Sequence, residues 1–297
     1  MSAPTAFAAR SLARVIPAIT TTEGAGFQIR RPVPIRGVDH VDPFLLLDEL
    51  GPLEYGPHEA EGAPDHPHKG FEVITYLLRG AMEHLDSHGN HGVLEDGGVQ
   101  YMSAGAGLVH SEMPSDAFQQ TGGVRHGFQI WANLPSSQKL MAPHYKDVQA
   151  PEIPVVHPTD GATARVIAGN VFGVEGPVHT VTPWSYVHVT LAPGASIVQP
   201  VQADWTATIY VFDGVAHIGA REVRSGDYAV FANDGITISL TNDGARPVEA
   251  LFLCAKPVNE PMVRYGPFVM NTVEEIQEAF EDFRAGRFGA IKPALAK

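Results

Sequence analysis

Short apolar or alternating runs, each closed by turn-forming residues, recur along this chain, and such spacing marks strands rather than helices. Gly26-Phe27-Gln28-Ile29-Arg30-Arg31 alternates as a half-buried strand does. Residues 44–47 are wholly apolar behind Pro43 and read as a buried strand, with the Gly- and Pro-bearing stretch 51–64 as a loop after it. Residues 73–78, 81–85 and 99–102 continue the pattern, separated by turn chemistry at 79–80, 86–92 and 96–98. Further strand patterns lie at 164–169 and 184–191. Near the C terminus the period changes. Ile276, Ala279, Phe280 and Phe283 form an apolar helical stripe, Thr272 and Glu275 make a capping box, and Gly286 or Gly289 ends the helix. Residues 1–24, rich in Ala, Thr and Gly, are expected to be partly mobile.

The strand pattern occurs twice. Tyr76-Leu77-Leu78-Arg79-Gly80, followed by His84, is echoed by Tyr210-Val211-Phe212-Asp213-Gly214, followed by His217. Gly97-Gly98-Val99-Gln100-Tyr101-Met102 is echoed by Gly226-Asp227-Tyr228-Ala229-Val230-Phe231. The expected fold is therefore all-β: two tandem β-barrels with a few short helices, one of them near the C terminus. The first domain is 1–135, a Pro-rich linker with one short helical turn is 136–160, and the second domain is 161–297.

Two segments carry candidate chemistry: His66-Pro67-His68 and His110-Ser111-Glu112. Residues two apart on a strand point the same way. If the two strands are neighbours, three imidazoles and one carboxylate converge, and one H-x-H pair alone would say far less than two pairs of equal period. Such a donor set suits iron, nickel, copper, manganese or zinc better than calcium or magnesium. It has no thiolate, which excludes a Cys-rich structural zinc site. Counting from the shared tyrosine, Pro200 and Gln202 fall where the first repeat has His66 and His68. Counting from the shared glycine, Ser239 and Thr241 fall opposite His110 and Glu112, or Ile238 and Leu240 after a one-residue slip. Either register leaves the second repeat without metal ligands. His84, His88 and His91 read as polar residues of an exposed hairpin with no carboxylate spaced to match. Ala104-Gly105-Ala106-Gly107 is expected to bend the chain where a side chain would crowd the metal.

The formal charge of −13 argues against a broad nucleic-acid-binding surface, since phosphate binding needs clustered Lys and Arg. The single cysteine, Cys254, excludes an intrachain disulfide, suits a reducing cytoplasm, and lies in an apolar run that should leave it buried and inert. No apolar run approaches the roughly 20 residues of a spanning helix.

Residues 66–114, with Asp42-Pro43-Phe44-Leu45-Leu46-Leu47-Asp48-Glu49 before them and Gly127-Phe128-Gln129-Ile130-Trp131-Ala132-Asn133-Leu134-Pro135 after them, closely resemble the pirin family of bicupins. Gly266-Pro267-Phe268-Val269-Met270-Asn271-Thr272 resembles the C-terminal signature of that family, and the similarity runs from about residue 25 to 290. The resemblance implies cupin-like barrels and gives His66, His68, His110 and Glu112 the places of the iron ligands, so one iron ion is the expected cofactor. It also implies a metal-dependent dioxygenase that opens flavonols such as quercetin with O2. In that reaction Glu112 ligates the metal and acts as general base on the 3-hydroxyl, and Phe71, Met102 or Met113 line the pocket. Glu72 occupies the carboxylate place of the wider cupin pattern H-x-H-x3-E, an even interval from His68, and is a second-shell candidate. A carboxylate two residues after His110, where many cupins have Asn four residues on, favours pirin over cupins at large. The rival reading is a metal-bearing, redox-responsive regulator that binds a transcription or metabolic partner protein without catalysis. Flavonol turnover with oxygen uptake separates the two.

Overall fold

Phe71–Arg79 is buried on both faces over most of its length, which requires cover from two sides. In the computed structural model, which describes residues 8–24 and 26–292, this strand lies inside a seven-stranded antiparallel sheet, between Val99–Ser103 and Gly123–Asn133. Phe44–Tyr55, Phe27–Val33 and Ile19–Glu23 extend the sheet on one side, and His144–Val148 forms its other edge. A four-stranded sheet belongs to the same unit, in the order Ala63–His68, Leu108–Pro114, Met82–Asp86, His91–Leu94. Leu45, Phe71, Val73, Met102 and Trp131 of the larger sheet pack with Leu108 of the smaller one. The histidines stand on that smaller sheet.

The second unit repeats the scheme with seven strands and four. Its four-stranded sheet runs Ser196–Pro200, Thr237–Thr241, Val215–Ile218, Arg221–Arg224, the same order as in the first unit. Its interior is an apolar core that includes Ile197, Val211, Ile238, Leu240 and Phe252. Helices are few among the described residues: Asp116–Thr121, Val273–Arg284 and two single turns of 3₁₀ helix.

The compact units are not collinear with the expected domains. One comprises the chain up to Ile19 with Pro151–Pro257, the other Thr20–Ala150 with the chain from Val258 on. Part of the supposed linker is an edge strand, because His144–Val148 pairs with Val99–Ser103 and so satisfies backbone groups that would otherwise be bare. Part of the stretch expected to be mobile is ordered as well: Leu12–Pro17 pairs with Asp227–Phe231, and Ile19–Glu23 is a strand too, while residues 1–7 lie outside the described residues. Arg10 adds a further tie. Its guanidinium donates to the carbonyls of Gln202, Ala203 and Gly235, to that of Trp205 (2.6 Å), and to Asn233 Oδ1 (2.8 Å). The loop expected at 51–64 is also shorter, since Phe44–Tyr55 continues through Gly51-Pro52 along Gly123–Asn133.

The tail from Val258 packs on the first unit. Thr272 caps the helix Val273–Arg284, with Glu275 returning the capping-box bond, and Ile276 and Ala279 are its buried residues. Lys139, almost wholly buried, donates to Gly70 O (2.8 Å), Asn133 Oδ1 (2.7 Å) and Val269 O (2.9 Å), tying the chain corner after the H-x-H pair to the tail. The glycine-rich bend before His110 has a different cause from the one expected. A Cβ on Gly107 would strike the ring of Phe288, from the tail.

Candidate metal centre

His66 and His110 are direct partners across the antiparallel pair Ala63–His68 and Leu108–Pro114. Their rings lie 4.2 Å apart, and His68 lies 4.7 Å from His66 and 4.9 Å from His110. One ring nitrogen from each falls within 4.8 Å of the other two, so the converging imidazoles expected from the two spacings are present. The ring environments suit ligands. His66 Nδ1 is 2.7 Å from Pro64 O and His68 Nδ1 is 3.4 Å from Pro267 O, so each can donate there and leave Nε2 with a free lone pair. Neither nitrogen of His110 has a hydrogen-bond partner among the described residues, an uncommon state for a buried imidazole. Burial, and then the neighbouring imidazoles, hold His68 and His110 well below the usual histidine range, so both are neutral, as a ligand must be. These residues fit a transition-metal ion.

Glu112 shares the interior with the three histidines, but a register shift separates it from His110 along Ala63–His68. Its carboxylate is not part of the tight nitrogen cluster. Gln129 Nε2 donates to it at 3.0 and 3.2 Å and Thr75 Oγ1 at 3.3 Å. Trp131 Nε1 in turn donates to Gln129 Oε1 at 3.1 Å. Glu72 is not brought to the site. The chain turns at Lys69-Gly70, with Gly70 at φ 88°, so the even interval from His68 no longer counts faces. Thr75 and Leu77 of Phe71–Arg79 line the cavity, whereas Glu72 points the other way and accepts from Tyr101 Oη at 2.8 Å.

A cavity of about 470 Å³ opens beside His66, His68 and Glu112. Its apolar wall is Leu46, Leu50, Leu77, Met82 and Trp131 rather than the expected Phe71, Met102 or Met113. Phe71 instead supports the site from the core, 5.0 Å from the His68 ring, and Met113 is exposed. Arg264, Gly266 and Pro267 of the tail complete the wall. Burial pushes Asp48, also on the wall, up to about 6 against the pull of Arg31. His84 differs from expectation too. It is fully buried, stacked on Tyr145 (4.4 Å) and 5.2 Å from His110, while His88 and His91 are exposed as a hairpin should leave them. Gln129 and Trp131 were not expected at the site from the sequence, although they repeat the same i, i+2 spacing as the histidines.

In the second unit the inward positions of the matching strands are Ile197, Gln199, Ile238 and Leu240. On the second of these strands the residues of the one-residue slip, Ile238 and Leu240, are the buried ones, and Ser239 and Thr241 are less so. For the first pair, counting from Tyr210 overshoots, because the corner between Ser196–Pro200 and Thr206–Asp213 is longer than the one at Lys69-Gly70.

The Pirin family model matches residues 26–132, and that of the Pirin C-terminal cupin domain matches residues 186–289. The chain belongs to the pirin family. A pirin-like protein of Arabidopsis thaliana is 40% identical over 279 residues, covering 91% of this chain and 87% of the relative. Homo sapiens pirin is 37% identical over 272 residues, covering 90% of each. Among solved structures, a quercetin 2,3-dioxygenase from Acinetobacter baumannii superimposes with a TM-score of 0.90 at 33% identity, covering 96% of this chain and 100% of that one. Both units are cupin domains, and the pirin tail signature is the segment that walls the cavity. No helix among the described residues is long and apolar enough to cross a membrane.

Proposed function

We propose that this member of the pirin family is a metal-dependent dioxygenase of the quercetinase type, acting on flavonols such as quercetin with O2 and using one transition metal, iron first among the alternatives. The observation that carries the reading is the cluster of three converging imidazoles, His68 and His110 of them buried and neutral, beside a cavity of small-molecule size. The likeness to a quercetin 2,3-dioxygenase over nearly the whole chain supports it. His66, His68 and His110 hold the metal, with Glu112 as a fourth, labile ligand. When bound, the metal supplies a Lewis acid that lowers the pKa of a chelated hydroxyl and an open position for O2.

The chain itself does the remaining work. Glu112 accepts the proton of the substrate hydroxyl on a carboxylate oxygen, and Gln129 and Thr75 hold that oxygen in place. Leu46, Leu50, Leu77 and Trp131 exclude water from the reacting face. The test is oxygen consumption by metal-loaded protein supplied with quercetin. Uptake that follows metal content, and disappears in His110→Ala, is the expected result. Stoichiometric metal with no uptake across a panel of polyphenols would overturn the reading.

A further inference from the structure

Three arginines, Arg31, Arg125 and Arg264, line the cavity of a chain whose formal charge is −13. Two of them are engaged. Arg31 makes paired 2.6 Å bonds to the Asp48 carboxylate and a third ion pair with Glu23. Arg125 donates to Glu61 O and to Tyr55 Oη (2.8 Å) and lies between the rings of Phe27 and Tyr55, at 4.9 and 4.8 Å. Arg264 differs. Its Nη1 donates to Leu45 O at 3.1 Å, and no carboxylate among the described residues lies within ion-pairing distance of it. A guanidinium carries five donors, so most of those on Arg264 remain for a ligand.

Its position relative to the metal centre is set by one side chain. Arg264 sits 5.0 Å above the Trp131 ring, and the same indole lies 4.9 Å from the ring of His68. Trp131 is itself stacked on Phe71, at 4.3 Å, which seats the indole in this wall. Phe71 covers one face of the indole and Arg264 lies over the ring, so a flat molecule in the cavity beside the indole could meet the histidines with one edge and Arg264 with another. Burial and then the nearby Arg31 disfavour the Arg264 cation, and Asp48 and Glu23, which favour it, are held by Arg31 and make no ion pair with Arg264. An anion arriving there would be bound by charge-assisted hydrogen bonds in a partly desolvated place.

We infer that Arg264 is the anion anchor of this cavity, and that the cavity selects planar aromatics bearing a negatively charged oxygen group opposite their metal-chelating edge. The inference rests on reading the histidine cluster as a metal centre. It names a substrate feature that the ligand set alone does not.

The experiment compares two probes on metal-loaded protein: 3-hydroxyflavone, and 3-hydroxyflavone carrying a 4′-carboxylate. Both have the same chelating edge. Binding is read from quenching of tryptophan fluorescence, with oxygen uptake followed in parallel. Wild type should bind the carboxylate about tenfold or more tightly than the parent. Arg264→Met should bring the ratio to about one, and Arg264→Lys should recover part of it. Arg264→Gln keeps a donor for Leu45 O and serves should the methionine variant lose its fold or its metal. Equal binding of the two probes by wild type, no binding of either, or a preference that survives in the Met and Gln variants would overturn the inference. A carboxylate preference lost with Arg264 but accompanied by no oxygen uptake leaves the anchor standing and removes the dioxygenase reading. Uptake without the preference does the reverse.

Discussion

Trp131 has one polar hydrogen, on the indole Nε1, and gives it to Gln129 Oε1. That bond decides which way round the Gln129 amide lies, and so aims Nε2 at both oxygens of Glu112. A carboxylate held by an oriented donor is pre-organised to leave and rejoin a metal or to take a proton. Glu112→Gln should keep part of the metal but reduce turnover per bound metal about 10²–10⁴-fold, as loss of a general base does. Raising the pH should restore part of that rate, because a flavonol hydroxyl ionises unaided in alkali. Coincident pH–rate curves for the variant and wild type, corrected for metal, would leave Glu112 as a ligand only. His110→Ala should abolish metal retention with the strand spectrum in circular dichroism unchanged, because the apolar cores do not depend on His110. Unfolding of that variant would make the metal structural.

At the scale of elements, the tail from Val258 is the piece that turns a sheet into a site. It brings Pro267 O to His68, Arg264 to the cavity wall, and Val269 O to Lys139. Lys139→Met leaves the Gly70, Asn133 and Val269 oxygens without that donor and should cost about 2–3 kcal/mol, read from urea unfolding. The cost also depends on pH. Burial lowers Lys139 from 10.5 to about 8, so between those values the unfolded chain binds the proton that the folded chain has released. Stability from this group therefore rises as pH climbs from about 8 toward 10.5, and below about 8 the full burial penalty stands. The deficit of Lys139→Met should accordingly be larger at about pH 10 than at about pH 7; a deficit that shrinks with pH would contradict the shift. Thr272→Ala removes the capping box and should cost about 1 kcal/mol, with the helix Val273–Arg284 exchanging its amide hydrogens faster.

Across the whole molecule, one unit carries the imidazoles, and on the corresponding strands of the other the inward residues are Ile197, Gln199, Ile238 and Leu240, none of them a histidine or a carboxylate. Metal analysis of the purified chain should therefore give one ion per chain, and a value near two would mean that a second site exists. Cys254 lies in the core of the second unit, where burial pushes its thiol up to about 12, so it should resist thiol reagents until the chain is unfolded.

The repeat, the all-β character, the C-terminal helix with its cap, and the shared strand face of His66 and His68 were all legible in the sequence. Each depends on a local period, of two or 3.6 residues, and a local period needs no knowledge of distant neighbours. Composition had the same reach: the thiol-free donor set and the lone apolar cysteine follow from residue types alone. Counting failed wherever the chain turned a corner. Glu72 lost the His68 face at Lys69-Gly70, and the ligand positions of the second repeat shifted because its corner is longer. The domain limits, the buried place of His84, and the Trp131–Gln129–Glu112 relay rest on contacts between residues far apart in sequence. So does the entry of Arg264 and Pro267 from the tail into the cavity wall. Tertiary structure alone decided those, because which strands become neighbours is set by how two sheets and a returning tail bury their apolar faces together, and no local period records that choice.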